Sequence, residues 1–294
     1  MEQFLQVLLS GLATGSIYAL AAIGFTLVWQ AAQTVNFAQG EFVMVPAFFV
    51  LVAMNMGMPF WLAMIIAMLV SVFLLGYLFK RAIVEPMQKQ GHGNSLSLII
   101  VTMALAILLK ESVKEFYGAE AQPYPALMSS ATWNIGGAII SITDILHLAI
   151  SLGVVLLLTL FLDRTRTGRA MQATAQNPGV AEILGVDTNR MILYTFLINA
   201  ALASLASFLI TPVYLAKFSN GEYLGLIAFI AAIVGGFNQI RGALAGGLLI
   251  GVLDNMVATY LTAEYRAAIP LLLLIVVILF KPEGLLGTSE GRSV

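Results

Sequence analysis

The chain contains no cysteine, and only two of its 294 residues are histidine. The absence of cysteine excludes disulfides, thiolate metal sites and cysteine nucleophiles. Two histidines are too few for a histidine metal cluster, so we expect no metal site. Charged residues make up 10% of the chain and hydrophobic residues 60%, whereas a soluble domain carries roughly 25% charged residues. The composition therefore predicts an all-α, polytopic membrane protein.

Motifs for catalysis and for nucleotide binding are also missing. The chain has no Gly-Lys dipeptide and hence no phosphate-binding loop, and it has neither His-Glu-x-x-His nor Gly-x-Ser-x-Gly. We therefore expect no catalytic residues and no cofactor in this chain. The net charge of -1 gives no indication of a nucleic-acid partner. Active transport would then need ATP hydrolysis on another chain or an ion gradient.

The hydrophobic pattern predicts a helical bundle with about eight or nine membrane spans, some of them discontinuous, since a full span needs about 20 apolar residues. We expect no cleaved signal peptide, because the N-terminus lacks a basic region. The predicted segments are Phe4–Val28, Phe42–Met54, Phe60–Leu78, Ser95–Leu109, Ile145–Leu162, Met191–Thr211, Leu224–Phe237, Ala243–Leu261 and Ala267–Phe280.

The distribution of Lys and Arg predicts the orientation of these spans. With residues 164–190 and the C-terminus in the cytoplasm, ten of the 14 Lys and Arg residues fall inside. The side on which the N-terminus lies stays open. The long segment from Lys110 to Asp144 then lies outside, as a partner surface or as a simple connector.

The cytoplasmic segment 164–190 contains a short predicted helix. Asn177 suits its N-cap, Pro178 its first position and Gly185 a left-handed stop. Apolar residues recur on one face of this helix, at positions 180, 183 and 184. Such a helix can dock on a partner protein, although a solvated basic loop is the plainer alternative.

Polar residues at membrane depth are candidate site residues because they are costly there. One group, Thr34, Asn36, Gln39 and Glu41, lies in the polar segment Trp29–Glu41, which either lines a translocation path or forms a capped turn. Asp254 and Asn255 form a second group. We favour a structural role for Asp254, paired with Arg241 or Arg266, over a place in the translocation path. Asn199 is a weaker candidate, typical of contacts between helices.

Glycine pairs of the Gly-x-x-x-Gly type predict closely packed helices. These pairs are Gly11 with Gly15, Gly242 with Gly246, and Gly247 with Gly251. We find no convincing internal repeat in the sequence.

Three stretches together resemble the permeases of ABC transporters of the high-affinity branched-chain amino acid type (the LivH-like family). They run from Gly15 to Met44, which includes Asn-Phe-Ala-Gln-Gly-Glu at residues 36–41, from Gly168 to Asp187, and from Gly235 to Asn255. The resemblance covers nearly the whole chain, with the three motifs in the family's order. It implies a single permease domain over residues 1–294, with the coupling loop at about 164–190.

The resemblance also implies partners: a second, similar or identical permease, two cytoplasmic ATPases that bind ATP and Mg²⁺, and an extracytoplasmic solute-binding protein. The location it implies is a bacterial-type inner membrane. The residues it assigns to ATPase coupling are Asn177, Pro178, Val180, Ala181, Ile183, Leu184 and Gly185.

The resemblance leaves the substrate open. Members of this family transport branched-chain amino acids, related amino acids, urea and amides, or aromatic acids. The alternatives from other classes are a gradient-driven secondary transporter or channel without ATPases, and a scaffold that transports nothing. A capped docking helix favours the ATP-driven importer, because a secondary carrier has no need of one.

Overall fold

A computed structural model describes residues 2–33, 35–89, 95–126, 131–135 and 138–287. Within these residues, six helices are long and apolar enough to cross a membrane, and three apolar helices are shorter. The predicted helical membrane bundle is therefore confirmed. Its α-helices are α1 Glu2–Ala32, α2 Gln39–Asn55, α3 Phe60–Ser71, α4 Glu85–Lys89, α5 Ser95–Tyr117, α6 Ile142–Arg164, α7 Arg166–Gln176, α8 Pro178–Ile183, α9 Thr188–Tyr214, α10 Asn220–Gly235, α11 Ile240–Tyr260 and α12 Ala268–Phe280.

The segment from Lys110 to Asp144 contains more regular structure than the sequence analysis predicted. Helix α5 continues past the predicted end at Leu109 as far as Tyr117, and Gly118 follows it in the left-handed conformation with φ +81°. Strands β1 (Thr132–Ile135) and β2 (Ala138–Ser141) then form an antiparallel hairpin. This hairpin is the one sheet within the described residues, and residues 127–130 and 136–137 of the segment lie outside them.

The polar segment Trp29–Glu41 is mostly helical, contrary to the predicted break. Helix α1 continues through Trp29 to Ala32, and α2 already begins at Gln39, so the break comprises only residues 33–38. Two side chains of this segment make local hydrogen bonds at the helix ends: Gln33 donates to the Gln30 backbone oxygen (3.4 Å), and Asn36 accepts from the Ala38 amide (3.1 Å). The break is therefore a tight connection between two helices.

Two compact units make up the chain. Unit 1 consists of Met1–Thr26, Met128–Gly153 and Leu226–Val294, and unit 2 consists of Leu27–Leu127 and Val154–Gly225. Each unit has its own buried apolar interior and its own buried polar contacts.

Unit 1 is held by glycine contacts between α1 and α11. A Cβ atom on Gly15 would lie 2.8 Å from the backbone oxygen of Gly247, and one on Gly251 would lie 2.1 Å from the Cα of Gly15. Only glycine permits helix backbones to approach so closely. The close packing predicted from the Gly-x-x-x-Gly pairs is therefore confirmed.

Unit 2 has an aromatic interior around α2 and α9. The ring of Phe79 packs edge-on against Phe42, with 5.2 Å between centroids, and lies 5.7 Å from the ring of Phe196. Phe79 lies between two π-helical stretches, Val72–Leu78 and Lys80–Val84, which continue α3. The wide helix at this point places the Phe79 ring between α2 and α9.

A helix–break–helix motif occurs twice in the structure, although the sequence analysis found no convincing repeat in the sequence. Helix α1 is followed by a short break and then α2, as α9 is followed by a short break and then α10. In the described part of the chain, two non-glycine residues have positive φ, Gln33 (50°) and Leu215 (61°), and each directly follows the first helix of its pair. The sequences entering the second helices match as well. They read Phe37-Ala38-Gln39-Gly40-Glu41-Phe42 and Phe218-Ser219-Asn220-Gly221-Glu222-Tyr223.

Candidate functional site

The predicted helix at residues 177–185 is confirmed as α8. The side chain of Asn177 accepts a hydrogen bond from the Val180 amide (3.1 Å), Pro178 occupies the first turn, and Gly185 has φ +83°. These local signals suffice because capping depends on neighbours only a few residues away. Helix α7 before it was not predicted; its N-cap is Thr165, which accepts from the Gly168 amide (2.9 Å).

Helix α8 presents apolar side chains to its surroundings. Ile183 is 85% exposed, Leu184 74% and Val180 51%, whereas Ala181 between them is buried. Ala181 therefore faces the protein, and the three larger side chains face away from it. We call Val180, Ile183 and Leu184 the α8 apolar edge.

The segment that carries this edge is anchored on the neighbouring helices. The Thr188 hydroxyl donates to a Glu182 carboxylate oxygen (2.6 Å), which links α8 to the start of α9. Gly168 of α7 lies directly on α6, since a Cβ atom there would be 2.2 Å from the backbone oxygen of Phe161. The α8 apolar edge is therefore held in place by the contacts of α8 with α9 and of α7 with α6.

A buried ion pair braces the first turn of α9 from a second side. The Lys80 ammonium group is 3% exposed, lies 3.0 Å from a Glu85 carboxylate oxygen and also donates to the side-chain oxygen of Asn189. Arg81 pairs with the same carboxylate at 3.0 Å. The π-helical segment after α3 is thus tied to the helix that follows α8.

The predicted path residues Asn36 and Gln39 lie together in unit 2. The Asn36 side-chain oxygen accepts from the Ala38 amide (3.1 Å), which shapes the turn into α2. Gln39 is fully buried and exchanges two hydrogen bonds with Asn199 of α9, at 2.8 and 2.9 Å. The pair satisfies both amides at the centre of unit 2. Thr34, the remaining member of the predicted group apart from Glu41, lies outside the described residues.

Glu41 belongs to the first copy of the repeated motif, lies in the first turn of α2 and is 3% exposed. Its Oε2 atom is buried and has no hydrogen-bond partner among the described residues. A Cβ atom on Gly221 would lie 2.3 Å from this oxygen, so the carboxylate packs directly against the first turn of α10. The Glu222 carboxylate and the Lys110 ammonium group lie within electrostatic range of it.

Asn36 also lines a narrow, open cleft in unit 2. The Asn36 Nδ2 atom is buried and has no hydrogen-bond partner in the described part of the chain. The other walls are almost entirely apolar, with Val28, Phe79, Leu98 and Phe196 among them. Asn36 therefore contributes a side-chain amide to a cleft wall that is otherwise mainly apolar.

Asp254 lies in unit 1 and has the basic partner that the structural interpretation required. Arg266 donates to it from Nε (2.8 Å) and from Nη2 (2.7 Å), and the Tyr18 hydroxyl donates at 3.0 Å. Of the two arginines considered, Arg266 is therefore the partner. Asn255 donates to the backbone oxygen of Gly251 within its own helix (3.1 Å). A role of either residue in the translocation path stays a prediction.

Sequence reasoning missed Glu222 and Lys110. The two side chains form an ion pair with 2.5 Å between Nζ and Oε1, next to the N-terminal turn of α2. The recurrence of Phe-x-x-Gly-Glu-aromatic was the signal that could have identified Glu222. Lys110 had no comparable signal, because its place beside the motif depends on the packing of α5.

Known proteins resemble the chain over nearly its full length. It is 34% identical to the high-affinity branched-chain amino acid transport system permease protein BraD of Pseudomonas aeruginosa, over 99% of this chain and 98% of the relative. It is 32% identical to the corresponding LivH protein of Escherichia coli, with the same coverage. The fructose import permease protein FruG of Bifidobacterium longum is 26% identical over 83% of this chain and 74% of its own length.

The family described as branched-chain amino acid transport system / permease component matches residues 7–278. No solved structure matches the chain. The relatives are transport permeases, and this multi-pass membrane protein is accordingly a transport subunit and not an enzyme. The chain belongs to the family of permease components of branched-chain amino acid ABC transport systems.

Proposed function

We propose that this chain is one of two permease subunits of an ATP-driven importer for branched-chain or related amino acids, in a bacterial-type inner membrane. Beyond family membership, one observation carries the proposal: the α8 apolar edge is exposed, on a helix that is hydrogen-bonded to the start of α9. Two cytoplasmic ATPase subunits would bind ATP and Mg²⁺ and dock on α8. An extracytoplasmic solute-binding protein would deliver the substrate.

Docking would stabilise α8 through burial of its apolar edge. A helix of 6 residues is too short to be stable alone, because nucleation costs more than so few hydrogen bonds return. Burial of one exposed Leu or Ile side chain contributes about 1.5–3 kcal/mol. A groove that covers Ile183 and Leu184 therefore gains two such contributions, which add to the stability that the Asn177 cap and the Thr188–Glu182 hydrogen bond give the helix.

Helix α9 is the proposed connection from the docking surface to the interior of unit 2. It begins at Thr188, which is hydrogen-bonded to α8, and carries Asn199, which holds Gln39. At 1.5 Å per residue, Asn199 lies about 16 Å along the helix from Thr188. A displacement of α8 by an ATPase would therefore reach the Gln39–Asn199 pair through one continuous helix.

The proposed translocation path passes Asn36, Gln39 and Glu41. Two of the three have a buried polar atom with no hydrogen-bond partner among the residues that the structure describes: Nδ2 of Asn36 and Oε2 of Glu41. Buried polar groups in proteins normally have partners, so such exceptions require an explanation. Transient contact with a polar substrate is the explanation that we propose.

The double substitution Ile183→Asp and Leu184→Asp tests the coupling role. We expect the ATPase subunits to dissociate, or substrate-stimulated hydrolysis to be lost, because the variant places two carboxylates where apolar contact is required. Co-purification of the ATPases in mild detergent and uptake of labelled leucine measure the two effects.

The matched control is Ile183→Val with Leu184→Met, which keeps both positions apolar and should retain coupled uptake. Both variants should insert into the membrane in equal amounts, because the two side chains are largely exposed. Full coupled transport by the double-Asp variant would contradict the assignment of α8 to ATPase docking and would remove the structural observation behind the ATP-driven importer.

A further inference from the structure

The two Phe-x-x-Gly-Glu motifs meet in unit 2. A Cβ atom on Gly40 would lie 2.0 Å from the backbone oxygen of Gly221 and 2.8 Å from the Cα of Gly225. The first turns of α2 and α10 therefore cross at glycine. The crossing brings Glu41 of one motif beside the other motif, which contributes Glu222.

The two acids differ in exposure and in partners. The Glu222 side chain is 63% exposed and pairs with the Lys110 ammonium group at 2.5 Å. Glu41 is 3% exposed, and its Oε2 atom has no hydrogen-bond donor among the described residues. The outer carboxylate, Glu222, is therefore accessible and paired with Lys110. The inner carboxylate, Glu41, is buried and has one oxygen without a donor among the described residues.

Ammonium groups already gather at this site. The Lys110 Nζ atom lies 5.8 Å from the ring centroid of Phe218, and Lys114 Nζ lies 5.6 Å from the same centroid. A carboxylate together with an aromatic face is a typical recognition site for an organic cation. Lys110 therefore shows, within the chain itself, which chemical group the Glu222–Phe218 side of the site accepts.

We propose that Glu41 and Glu222, the acids of the paired motifs, bind the ammonium group of a transported amino acid in turn, with Lys110 as a tethered occupant of the outer position. The proposal rests on the proposed import of amino acids and specifies how one of their groups is recognised. An arriving ammonium group displaces the Lys110 group from Glu222. It then gives the Glu41 Oε2 atom the donor that it lacks.

The substitution Glu41→Gln tests the inner position in the assembled importer, with both permeases, the ATPases and the binding protein in proteoliposomes. We expect leucine uptake to fall about tenfold or more, since a charge-assisted contact is lost. ATPase stimulation by the loaded binding protein should persist, because Glu41 has no part in docking. Glu222→Gln should reduce uptake less, as the outer position is solvated.

The matched control is Glu115→Gln, on the same helix as Lys110. The Glu115 side chain is exposed, and the acids that act on Lys110 are Glu222, Glu111 and Glu41. Uptake should therefore stay at the unaltered level. Normal leucine uptake by the Glu41→Gln variant would overturn the proposal while leaving amino acid import intact.

A labelling experiment tests the same site without altering either acid. The chain has no cysteine, so Ser219→Cys places a single thiol on an exposed motif position beside Phe218. The reference is a cysteine at Thr132, an exposed position in the segment that is also predicted to lie outside. We expect the ratio of labelling by an ammonium-bearing methanethiosulfonate to labelling by a neutral one to be higher at Ser219→Cys than at Thr132→Cys. Excess leucine should slow labelling by the ammonium reagent, whereas 4-methylpentanoate, which lacks the amino group, should not.

The two experiments separate this proposal from the proposed function. An importer that takes up no amino acid, yet shows charge-selective labelling with protection by amines, would overturn amino acid import and leave the cation site. Equal labelling by both reagents, or equal protection by leucine and 4-methylpentanoate, would overturn the cation site whatever the importer carries.

Discussion

Glu41 and Asp254 are both almost fully buried acids in helices of a membrane protein, yet their surroundings are opposite. Asp254 in unit 1 receives three hydrogen bonds, from two guanidinium nitrogens of Arg266 and from the Tyr18 hydroxyl. Glu41 in unit 2 has one carboxylate oxygen without any donor among the described residues. The fully paired acid is the one expected to hold helices together, and the incompletely paired acid is the one available to a substrate.

This difference shows why burial alone does not identify a functional acid. A buried carboxylate is costly, and a structural site offsets the cost with internal donors. In a binding site, the internal donors offset only part of the cost of burying the carboxylate, and the bound ligand offsets the rest. The following substitutions test whether each acid is structural or ligand-binding by measuring the free energy of unfolding. Loss of a structural acid's partner should lower it, whereas replacement of a ligand-binding acid should not.

Removal of Arg266 should have the largest effect. Arg266→Met leaves the Asp254 carboxylate fully buried with the Tyr18 hydroxyl as its remaining donor among these contacts. We expect a loss of about 3 kcal/mol in the free energy of unfolding, since broken buried pairs cost this much or more. Thermal unfolding of the purified chain in detergent measures it.

Arg190→Met is the control for this prediction. Its ion pair with Asp187 has a similar length, 2.8 Å, but both side chains are at least half exposed. Exposed pairs contribute about 0–1 kcal/mol, so little change is expected. An equally small effect of Arg266→Met would show that Asp254 is not a structural acid. The contrast between Asp254 and Glu41 would then be lost.

The Gln39–Asn199 pair should give an intermediate effect. Gln39→Leu leaves the Asn199 amide buried without its partner, at a cost of about 1–3 kcal/mol. Replacement of both residues by Leu should recover much of that stability, because no polar group is then left unpaired. Unfolding midpoints of the single and double variants provide the measurement.

Uptake by the Gln39 and Asn199 variants then decides the role of the pair. If Gln39 serves only to pack helices, the stable double variant transports normally. We expect transport to stay low in it, since Gln39 is a proposed path residue. Recovery of uptake together with stability would remove Gln39 from the path.

Glu41→Gln should have the smallest effect on stability. No described hydrogen bond to Oε2 is lost, so we expect the free energy of unfolding to stay the same or rise by up to about 1 kcal/mol. The same unfolding measurement as for Arg266→Met provides a direct comparison. A loss as large as that of Arg266→Met would mean that Glu41 is a structural acid as well.

Much of the molecule could be predicted from the sequence where the signal is local. The cap, first-turn proline and left-handed glycine of α8 depend on residues within a few positions of one another, and the structure has all three. The apolar segments and the Gly-x-x-x-Gly contacts followed from composition and helical spacing. Boundaries were less accurate: α5 and α1 run further than predicted, and α7 was missed because its buried face packs against α6 and α9.

The partners of the polar residues could not be predicted in this way. Gln39 and Asn199 are 160 positions apart, and Tyr18 and Asp254 are 236 apart. Nothing in one sequence states which of several distant helices a buried amide or acid will face. Even the repeat of Phe-x-x-Gly-Glu, visible in the letters, gained meaning only because Gly40 and Gly221 pack together.

The sequence by itself determined that this is a helical membrane protein with a capped, apolar-edged helix between residues 164 and 190. Those properties depend on hydrophobicity, on helical spacing and on capping, which act over short distances along the chain. The tertiary structure alone decided that Asp254 is fully paired and that Glu41 is not. Hydrogen bonding between distant segments depends on which backbones approach closely, and in this chain glycine contacts set those approaches.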